Sequence, residues 1–509
     1  MYLGMKSPYF KEEHELFRAS VRDFFDKEVM PYVAEWEANR QIPKDIWKKM
    51  GEMGYLGLCH KEAYGGMEAD IWYSCVFLEE LAKTNGGFSS AVSVHVYMAT
   101  NHIAKAGSED LKQRYLVPAL AGEKVAALAV SEPGAGSDVS AIRTYARREG
   151  DYFVVNGQKL WITNGTYCDF YTTAVKTENG ITLMVIDGQA EGVSRNKLNK
   201  MGLHSSDTAE VYFDNVRVPV ANIVGEEGKG FYYIMDSFQL ERLVIGMSSI
   251  GANEQILEQT LRYMSERETF GRPINKYQVL RHTIAQLAAE VEQNKQFVYH
   301  TCWLHENGEY VVKECSMIKL LSSELNKRVV DECLQMFGGY GYVEDFPICQ
   351  AYRDTRVGTI AGGTTQIMRE IIAKIVIDGV NHRPAYEGHT NGQNGSAQKS
   401  SGIVAKEIVK TLSSRFRPEK AADYQTIIHY NISGNNGGQY TVMIANGLCE
   451  VKEGLEGQAK CLIEVADSVY EALETGQTDP QSAFMNGQIK VSDVSEMMHF
   501  TRVFKKLGA

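Results

Sequence analysis

The spacing of apolar and polar positions along the chain changes character four times. From 10 to 122 apolar residues recur every three or four positions, which predicts helices over 10–37, 44–53, 70–83, 88–106 and 108–121. Breaks fall at Pro43, Gly54, Gly65-Gly66 and Gly86-Gly87. Glu109 and Asp110 stand where the last helix of the run begins and suit its dipole. At Lys124 the pattern shortens. The stretches 125–130, 152–156, 171–176, 181–186 and 210–218 are rich in β-branched and aromatic residues and bounded by Gly, Asn and Asp, which predicts a small antiparallel β domain. Helical spacing returns after Gly225 and continues to about Asp378, interrupted at Gly271-Arg272-Pro273, Asn307-Gly308, Phe337-Gly338-Gly339 and Gly362-Gly363. From 381 to 402 the composition collapses to His, Gly, Asn, Gln, Ser and Lys; such a segment cannot bury a core and reads as a flexible linker.

Beyond the linker the pattern predicts a helix over 403–416, strands over 424–432, 440–445, 447–452 and 459–464, and helices over 466–475 and 493–507. The fold class expected is multidomain. An all-α N-terminal domain (1–123) precedes an antiparallel β middle domain (124–225), an α-helical bundle (226–380), the linker (381–402) and a small α+β domain (403–509). A length of 509 residues suits several cores rather than one.

Composition narrows the function classes. With 44% hydrophobic and 23% charged residues the chain reads as a soluble globular protein, and a net charge of −11 argues against nucleic-acid binding. Nine cysteines without a CxxC pair suggest free thiols in a reducing compartment, not a disulfide frame or a metal site. No apolar run reaches the ~20 residues of a membrane span, and neither end carries a recognisable address, so a cytoplasmic location is the expectation.

Three features carry chemistry. On a helix after Gly230, Glu241 shares a face with Ile234, Phe238, Val244, Ile245 and Ser248. A carboxylate on an apolar stripe is desolvated, which raises its pKa toward the range a general base needs. A Glu241–Arg242 ion pair at a helix edge is the other reading of that helix. Secondly, Ala129-Val-Ser-Glu-Pro-Gly-Ala-Gly-Ser-Asp138 makes a turn whose amides, with the hydroxyls of Ser131 and Ser137, can meet an acceptor; spacing alone suits a hairpin turn equally well. It lacks the third glycine of a dinucleotide fingerprint. Thirdly, Lys159-Leu-Trp-Ile-Thr-Asn-Gly165 puts an indole and a hydroxyl two residues apart, on one side of a strand. Such a pair suits either a flat ring or a buried Trp beside a turn. Nucleotide-hydrolase, zinc-protease and nucleophile-elbow patterns are absent.

Five stretches in order, Ser131-Glu-Pro-Gly-Ala-Gly-Ser-Asp138, Trp161-Ile-Thr-Asn-Gly165, Glu266-Arg-Glu-Thr-Phe-Gly271, Gln335-Met-Phe-Gly-Gly339 and Gly363-Thr-Thr-Gln-Ile367, resemble the acyl-CoA dehydrogenase family across the first 380 residues. The resemblance implies a helical domain, a β middle domain and a four-helix bundle, assembled as homodimers or homotetramers. It further implies bound FAD, oxidation of acyl-CoA to 2-enoyl-CoA, and an electron-transfer flavoprotein as acceptor. Carried over residue by residue, Leu128, Ala129, Val130 and Ser131, with Trp161, Ile162 and Thr163, would border the flavin, Thr163 near N5. Ser137 would lie toward the CoA arm, counting for cofactor and substrate alike. Arg267, Thr269, Phe270, Gln278 and the run Gln335, Met336, Phe337, Gly338, Gly339 would reach the FAD of a neighbouring subunit, and Thr364 and Gln366 its adenine half. Arg242, Gly362 and Gly363 would meet the substrate.

One departure from the family pattern is informative. Most members carry the catalytic glutamate immediately before the Gly-Thr of the last motif, where this chain has Gly362. A minority, the long-chain and isovaleryl types, carry it on the helix that here holds Glu241, in the same Leu-Glu-Arg-Leu context. The resemblance therefore makes Glu241 the base and leaves the Gly362 N–H for the thioester oxygen. The tail, through Cys461-Leu-Ile-Glu-Val-Ala-Asp-Ser-Val-Tyr470 and 476–490, is similar to the sterol-carrier-protein-two lipid-binding family, which implies a lipid or acyl chain as its ligand. An oxygen-using acyl-CoA oxidase, or a lipid binder with an inactive dehydrogenase half, are the alternatives.

Overall fold

The computed structural model describes residues 7–380 and, after them, 404–421, 424–475, 489–493, 496–497, 500, 503–505 and 507. The chain divides into two compact units, Met1–Thr390 and Asn391–Ala509. The linker expected over 381–402, and most of 476–490, lie outside the described residues.

The first unit opens with helices whose starts are written in their side chains. Asp70, Asn85 and Ser108 accept from the N–H groups of Trp72 (3.0 Å), Phe88 (3.0 Å) and Leu111 (3.3 Å), satisfying amides that no helical carbonyl can reach. The single helix expected over 10–37 is two, Glu12–Glu28 and Val33–Asn39, joined by a 3-10 turn at Met30–Tyr32. Pro31 is the reason: it lacks an N–H, and its ring opposes the carbonyl one turn earlier. The helical stretches around 88–106 and 108–121 each contain a wider, π-spaced turn, at Val94–Ala99 and Lys112–Leu116.

The β domain is one sheet of β1 (Ala126–Ala129), β2 (Tyr145–Glu149), β3 (Tyr152–Thr163), β4 (Phe170–Thr177), β5 (Gly180–Asp187), β6 (Val193–Lys197), β7 (Thr208–Pro219) and β8 (Ile223–Val224). Their spatial order is β6-β7-β3-β2-β4-β5-β8, with β1 beside β4. The pairing is antiparallel except where β1, and one residue of β2, run parallel to β4. β1 is buried along nearly its whole length, so it needs no solvent face and accepts a parallel partner. β2 and β6 escaped the sequence pattern because almost all their side chains are exposed or half-exposed, which leaves no alternation to read.

The helical bundle is built on Gly230–Glu266, a 37-residue helix, with Gln278–Glu306, Val312–Phe337, Pro347–Thr355 and Thr365–Val376 around it. It crosses helix Ile71–Ala82 so closely that a Cβ at Gly251 would lie 1.9 Å from the Glu79 carbonyl oxygen, so only glycine permits the crossing. The Glu79 side chain, buried there, accepts from Arg18 (2.6 Å) and from the Tyr299 hydroxyl (2.6 Å), tying a third and a fourth helix to it. Next to it, burial would raise the Glu80 carboxyl, but hydrogen bonds and charge from Arg22 and Lys83 outweigh it and hold the group at about 2.

The second unit is a five-stranded sheet in the order Leu448–Glu453, Gly438–Ala445, Thr426–Ser433, Cys461–Ala466 and Ile489–Val491. Among the described residues of this unit, only Thr426–Ser433 and Cys461–Ala466 pair in parallel. Helix Asp467–Glu474 and the short helices Ala405–Lys410 and Leu412–Arg415 supply buried residues to its core, with Tyr430, Tyr470 and Phe500 at the centre. The helix expected to continue to 507 does not: Phe504 makes a β-bridge with Phe416, and the Arg417 N–H donates to the Val503 carbonyl at 2.8 Å.

Besides His14, three histidines of the first unit, His60, His95 and His102, are buried. His95 accepts from the Ala126 N–H at 3.0 Å and faces the Ala119 carbonyl at 3.1 Å, so it sits neutral with its proton on Nε2. Burial lowers the three to about 4, about 4 and about 3 respectively. Below the ordinary value of 6.5 the unfolded chain takes up these protons and the folded chain does not, so stability falls as pH falls. His102→Leu should remove about 2 kcal/mol of the stability lost between pH 7 and pH 5. Unfolding midpoints at the two pH values check this, and equal losses in both proteins would contradict it.

Candidate active site

The long helix Gly230–Glu266 presents Glu241 inward, 5% exposed, and no hydrogen-bond partner for its Oε1 exists among the described residues. Burial raises its pKa to about 7, against the charges of Arg242 and Lys105, which pull the other way. Arg242 does not pair with it. Its Nη1 donates to Ser316 Oγ at 3.3 Å, and its guanidinium lies over the Phe238 ring at 5.6 Å. Consecutive helical residues point about 100° apart, and here the neighbours diverge. The edge ion pair is thus not formed.

Gly362 abuts the same helix face. A Cβ there would lie 2.9 Å from Cδ1 of Ile245, one turn beyond Glu241. Its φ of +65° is left-handed, which any side chain would strain. Among the described residues its N–H makes no hydrogen bond. Gly363 lies next to it, also at positive φ.

The end of β1 reaches the same region. Leu128 and Val130 pack in one apolar cluster with Ile234 and Phe238, the residues two turns and one turn before Glu241. Ala129 is buried in a second cluster within the β domain, and Ser131 is half-buried at the start of the turn. Ser137 stands exposed further along it. The Ser131 carbonyl accepts from the Leu160 N–H at 2.9 Å, which sets Trp161 beside the turn. The β3 register against β7 shifts between Lys159 and Ile162, and Trp161 has φ +65° and is 64% exposed. Ile162 turns back into the core and Thr163 is half-buried.

The remaining expected residues lie elsewhere. Arg267 is about 39 Å from Glu241 along the helix axis at about 1.5 Å per residue. Its guanidinium lies over Tyr340 at 5.6 Å, and Tyr263 stacks on Phe337 at 4.2 Å, so 267–270 and 335–340 form one surface. Phe270 on it is 98% exposed with φ +52°, while the Thr269 hydroxyl is engaged with Tyr277. Gln278, Gln335, Gly338 and Gly339 are exposed there; Met336 and Phe337 are buried and contribute packing. Thr364 caps helix Thr365–Val376 through the Ile367 N–H, and Gln366 is exposed beside it.

Two observations fit a flat, partly apolar cofactor. Trp161 and Phe270 are the aromatic residues at positive φ among the described residues, and both rings face solvent. Such backbone costs about 1–3 kcal/mol, and in an exposed ring packing does not recover it. Sequence reasoning overlooked Lys159 and Glu132, which form a buried ion pair behind the turn at 2.8 Å. The i, i+2 rule puts Lys159 on the exposed side with Trp161, and the bulge between them reverses that.

Comparison with known proteins agrees with this layout. Residues 11–123, 127–216 and 228–377 match the N-terminal, middle and C-terminal domains of acyl-CoA dehydrogenase, and residues 406–505 the SCP-2 sterol transfer family. The mitochondrial long-chain specific acyl-CoA dehydrogenase of Sus scrofa is 37% identical over 379 residues, covering 72% of this chain and 87% of that protein. An acyl-CoA dehydrogenase structure from Geobacillus kaustophilus superposes with a TM-score of 0.72 at 40% identity, over 73% of this chain and 100% of that one. A glutaryl-CoA dehydrogenase from Mycobacterium smegmatis, solved in complex with FADH2, gives 0.70 at 26% identity, over 74% and 97%. With its three family domains in order, and a buried carboxylate on the first helix of the third, the chain belongs to the acyl-CoA dehydrogenase family, as an oxidoreductase acting on acyl-CoA with an SCP-2 domain fused behind it.

Proposed function

We propose that this enzyme converts an acyl-CoA thioester to its trans-2-enoyl-CoA with FAD as cofactor, and that Glu241 is the base. The observation that carries the reading is the buried Glu241 carboxylate, whose Oε1 has no hydrogen-bond partner among the described residues, on the helix face where Ile245, one turn further on, meets Gly362. Bound FAD would supply the acceptor for the hydride leaving Cβ. Glu241 Oε1 takes the α proton; among the described residues it has no hydrogen bond to break first. With a pKa near 7 the group is basic enough to accept the proton and acidic enough to release it later. The uncommitted Gly362 N–H is the donor for the thioester oxygen as enolate charge develops. Trp161, Ser131 and Thr163 would hold the flavin, with Leu128 and Val130 beneath it, and the exposed Ser137 the CoA arm.

Glu241→Gln keeps shape and removes the acceptor, so turnover should fall by ~100- to 10,000-fold while acyl-CoA still binds. The same substitution should stabilise the protein at pH 8 and not at pH 4. A raised folded pKa means the buried charge is costly above pH 7 and absent below the unfolded value of 4.5. Near-normal turnover, or an equal shift in melting temperature at both pH values, would reject the assignment.

The long separation of Arg267 and Phe270 from Glu241 supports a second part of the reading, that this surface completes the FAD site of another copy in a homodimer or homotetramer. Subunits carrying Glu241→Gln co-assembled with subunits carrying Arg267→Ala should then regain part of the activity each lacks alone, because mixed pairs hold one intact site. No recovery would mean that each chain builds its own.

We assign the reducing equivalents to an electron-transfer flavoprotein, which an oxidase would not need; substrate-reduced flavin surviving in air supports this. The SCP-2 unit would carry the acyl chain, at a local concentration in the millimolar range if the tether is short and flexible. Each buried CH₂ draws long acyl-CoAs out of water by about 0.8 kcal/mol, so they have little free monomer. A chain ending at 380 should keep kcat for short acyl-CoAs and lose kcat/KM for long ones at low concentration. Equal losses at all chain lengths would make the unit structural.

A further inference from the structure

Lys159 and Glu132 lie in the two motif stretches that frame Trp161, yet they are 0% and 7% exposed. Lys159 Nζ donates to Glu132 Oε1 at 2.8 Å and to the Val130 carbonyl at 3.0 Å. The Glu132 carboxylate also accepts from the N–H groups of Arg143 (2.6 Å) and Thr144 (3.0 Å), where the loop rejoins the sheet. Burial alone would raise the Glu132 carboxyl; Lys159 and these contacts outweigh it and hold it below its ordinary value. One cation therefore grips the residue before Ser131, the residue after it and the far end of the same loop. It does so from the strand that carries Trp161, immediately before the bulge.

A buried ion pair is a weak source of net stability, because desolvating both charges offsets most of their attraction. Its effect here is directional. The bulge leaves Trp161 without a regular ladder partner, and the loop's glycines, Gly134 and Gly136, have no neighbour within 4 Å of a Cβ position. Ala135 of the loop and Ile162 of the strand are buried in different apolar clusters, so packing does not seat one piece against the other, and the Leu160 N–H on the Ser131 carbonyl is the backbone link between them. We propose that Lys159 is a positioning residue, which through Glu132 and Val130 fixes the Ser131 loop against the Trp161 bulge and so shapes the seat of the flavin ring. This rests on the reading that FAD lies against Trp161 and Ser131.

The test uses full-length protein stripped of FAD and titrated with it, following flavin fluorescence, the flavin visible spectrum and the melting temperature. Lys159→Met should melt early, since it leaves a carboxylate buried alone. The double variant Glu132→Gln/Lys159→Leu removes both charges and should recover most of that melting temperature. It should still bind FAD at least tenfold more weakly, with an altered spectrum. A folded double variant with the parent's FAD affinity and spectrum overturns the proposal, provided Trp161→Ala weakens FAD binding. If Trp161→Ala leaves the affinity unchanged, the assumed seat is wrong and the proposal falls with it. Should the double variant not fold, the near-isosteric Glu132→Gln decides: weakened FAD binding supports the proposal and parent affinity overturns it.

Discussion

Keeping one carboxylate dry is the constraint on which the catalytic half of this protein is organised. Holding Glu241 at about 7 rather than 4.5 costs on the order of 3 kcal/mol when the group is charged. That is a sizeable fraction of the net stability of an ordinary domain. The cost is met by shared packing. Ile234 and Phe238 on the same helix face pack with Leu128 and Val130 of the sheet. Arg242 is drawn away toward Ser316, and Ile245 lies against the Gly362 position. Each of these neighbours is apolar or turned elsewhere, so among the described residues none hydrogen-bonds to Glu241 Oε1.

The helix that carries Glu241 can be this crowded because its own position is pinned further along. At Gly251 its backbone meets that of helix Ile71–Ala82, and Glu79 at that crossing gathers Arg18 and Tyr299. The crossing orients the helix, and its length carries Arg267 about 39 Å away from Glu241. One rigid element thus holds a buried acid near one end and an exposed cationic and aromatic surface at the other.

The 131–138 loop is held by different physics. The 131–138 turn and the Trp161 bulge have little apolar packing of their own and are joined by polar contacts, through Lys159, Glu132 and the Leu160 N–H. Backbone strain at Trp161 marks the place where this arrangement departs from a regular sheet. Among the described residues of the second unit the core is a sheet packed by helices, with Tyr430, Tyr470 and Phe500 in it.

Much of this was legible in the chain itself. Helical periodicity around Glu241 set the carboxylate on an apolar face but left a pair with Arg242 open; it was the family resemblance, with Gly362 where most members carry the glutamate, that favoured the base. The caps at Asp70, Asn85 and Ser108 are local in the same way, since a cap acts within three residues. Pro31 was equally local, and its break was there to be read. What distant residues must supply was not. Whether Glu241 pairs with Arg242 depended on Ser316 and Phe238, and the parallel seat of β1 depended on β4. The inward turn of Lys159 depended on a bulge defined against β7. Periodicity records which face of an element is apolar; only the packed structure decides what that face meets, and with it which charge is left without a partner.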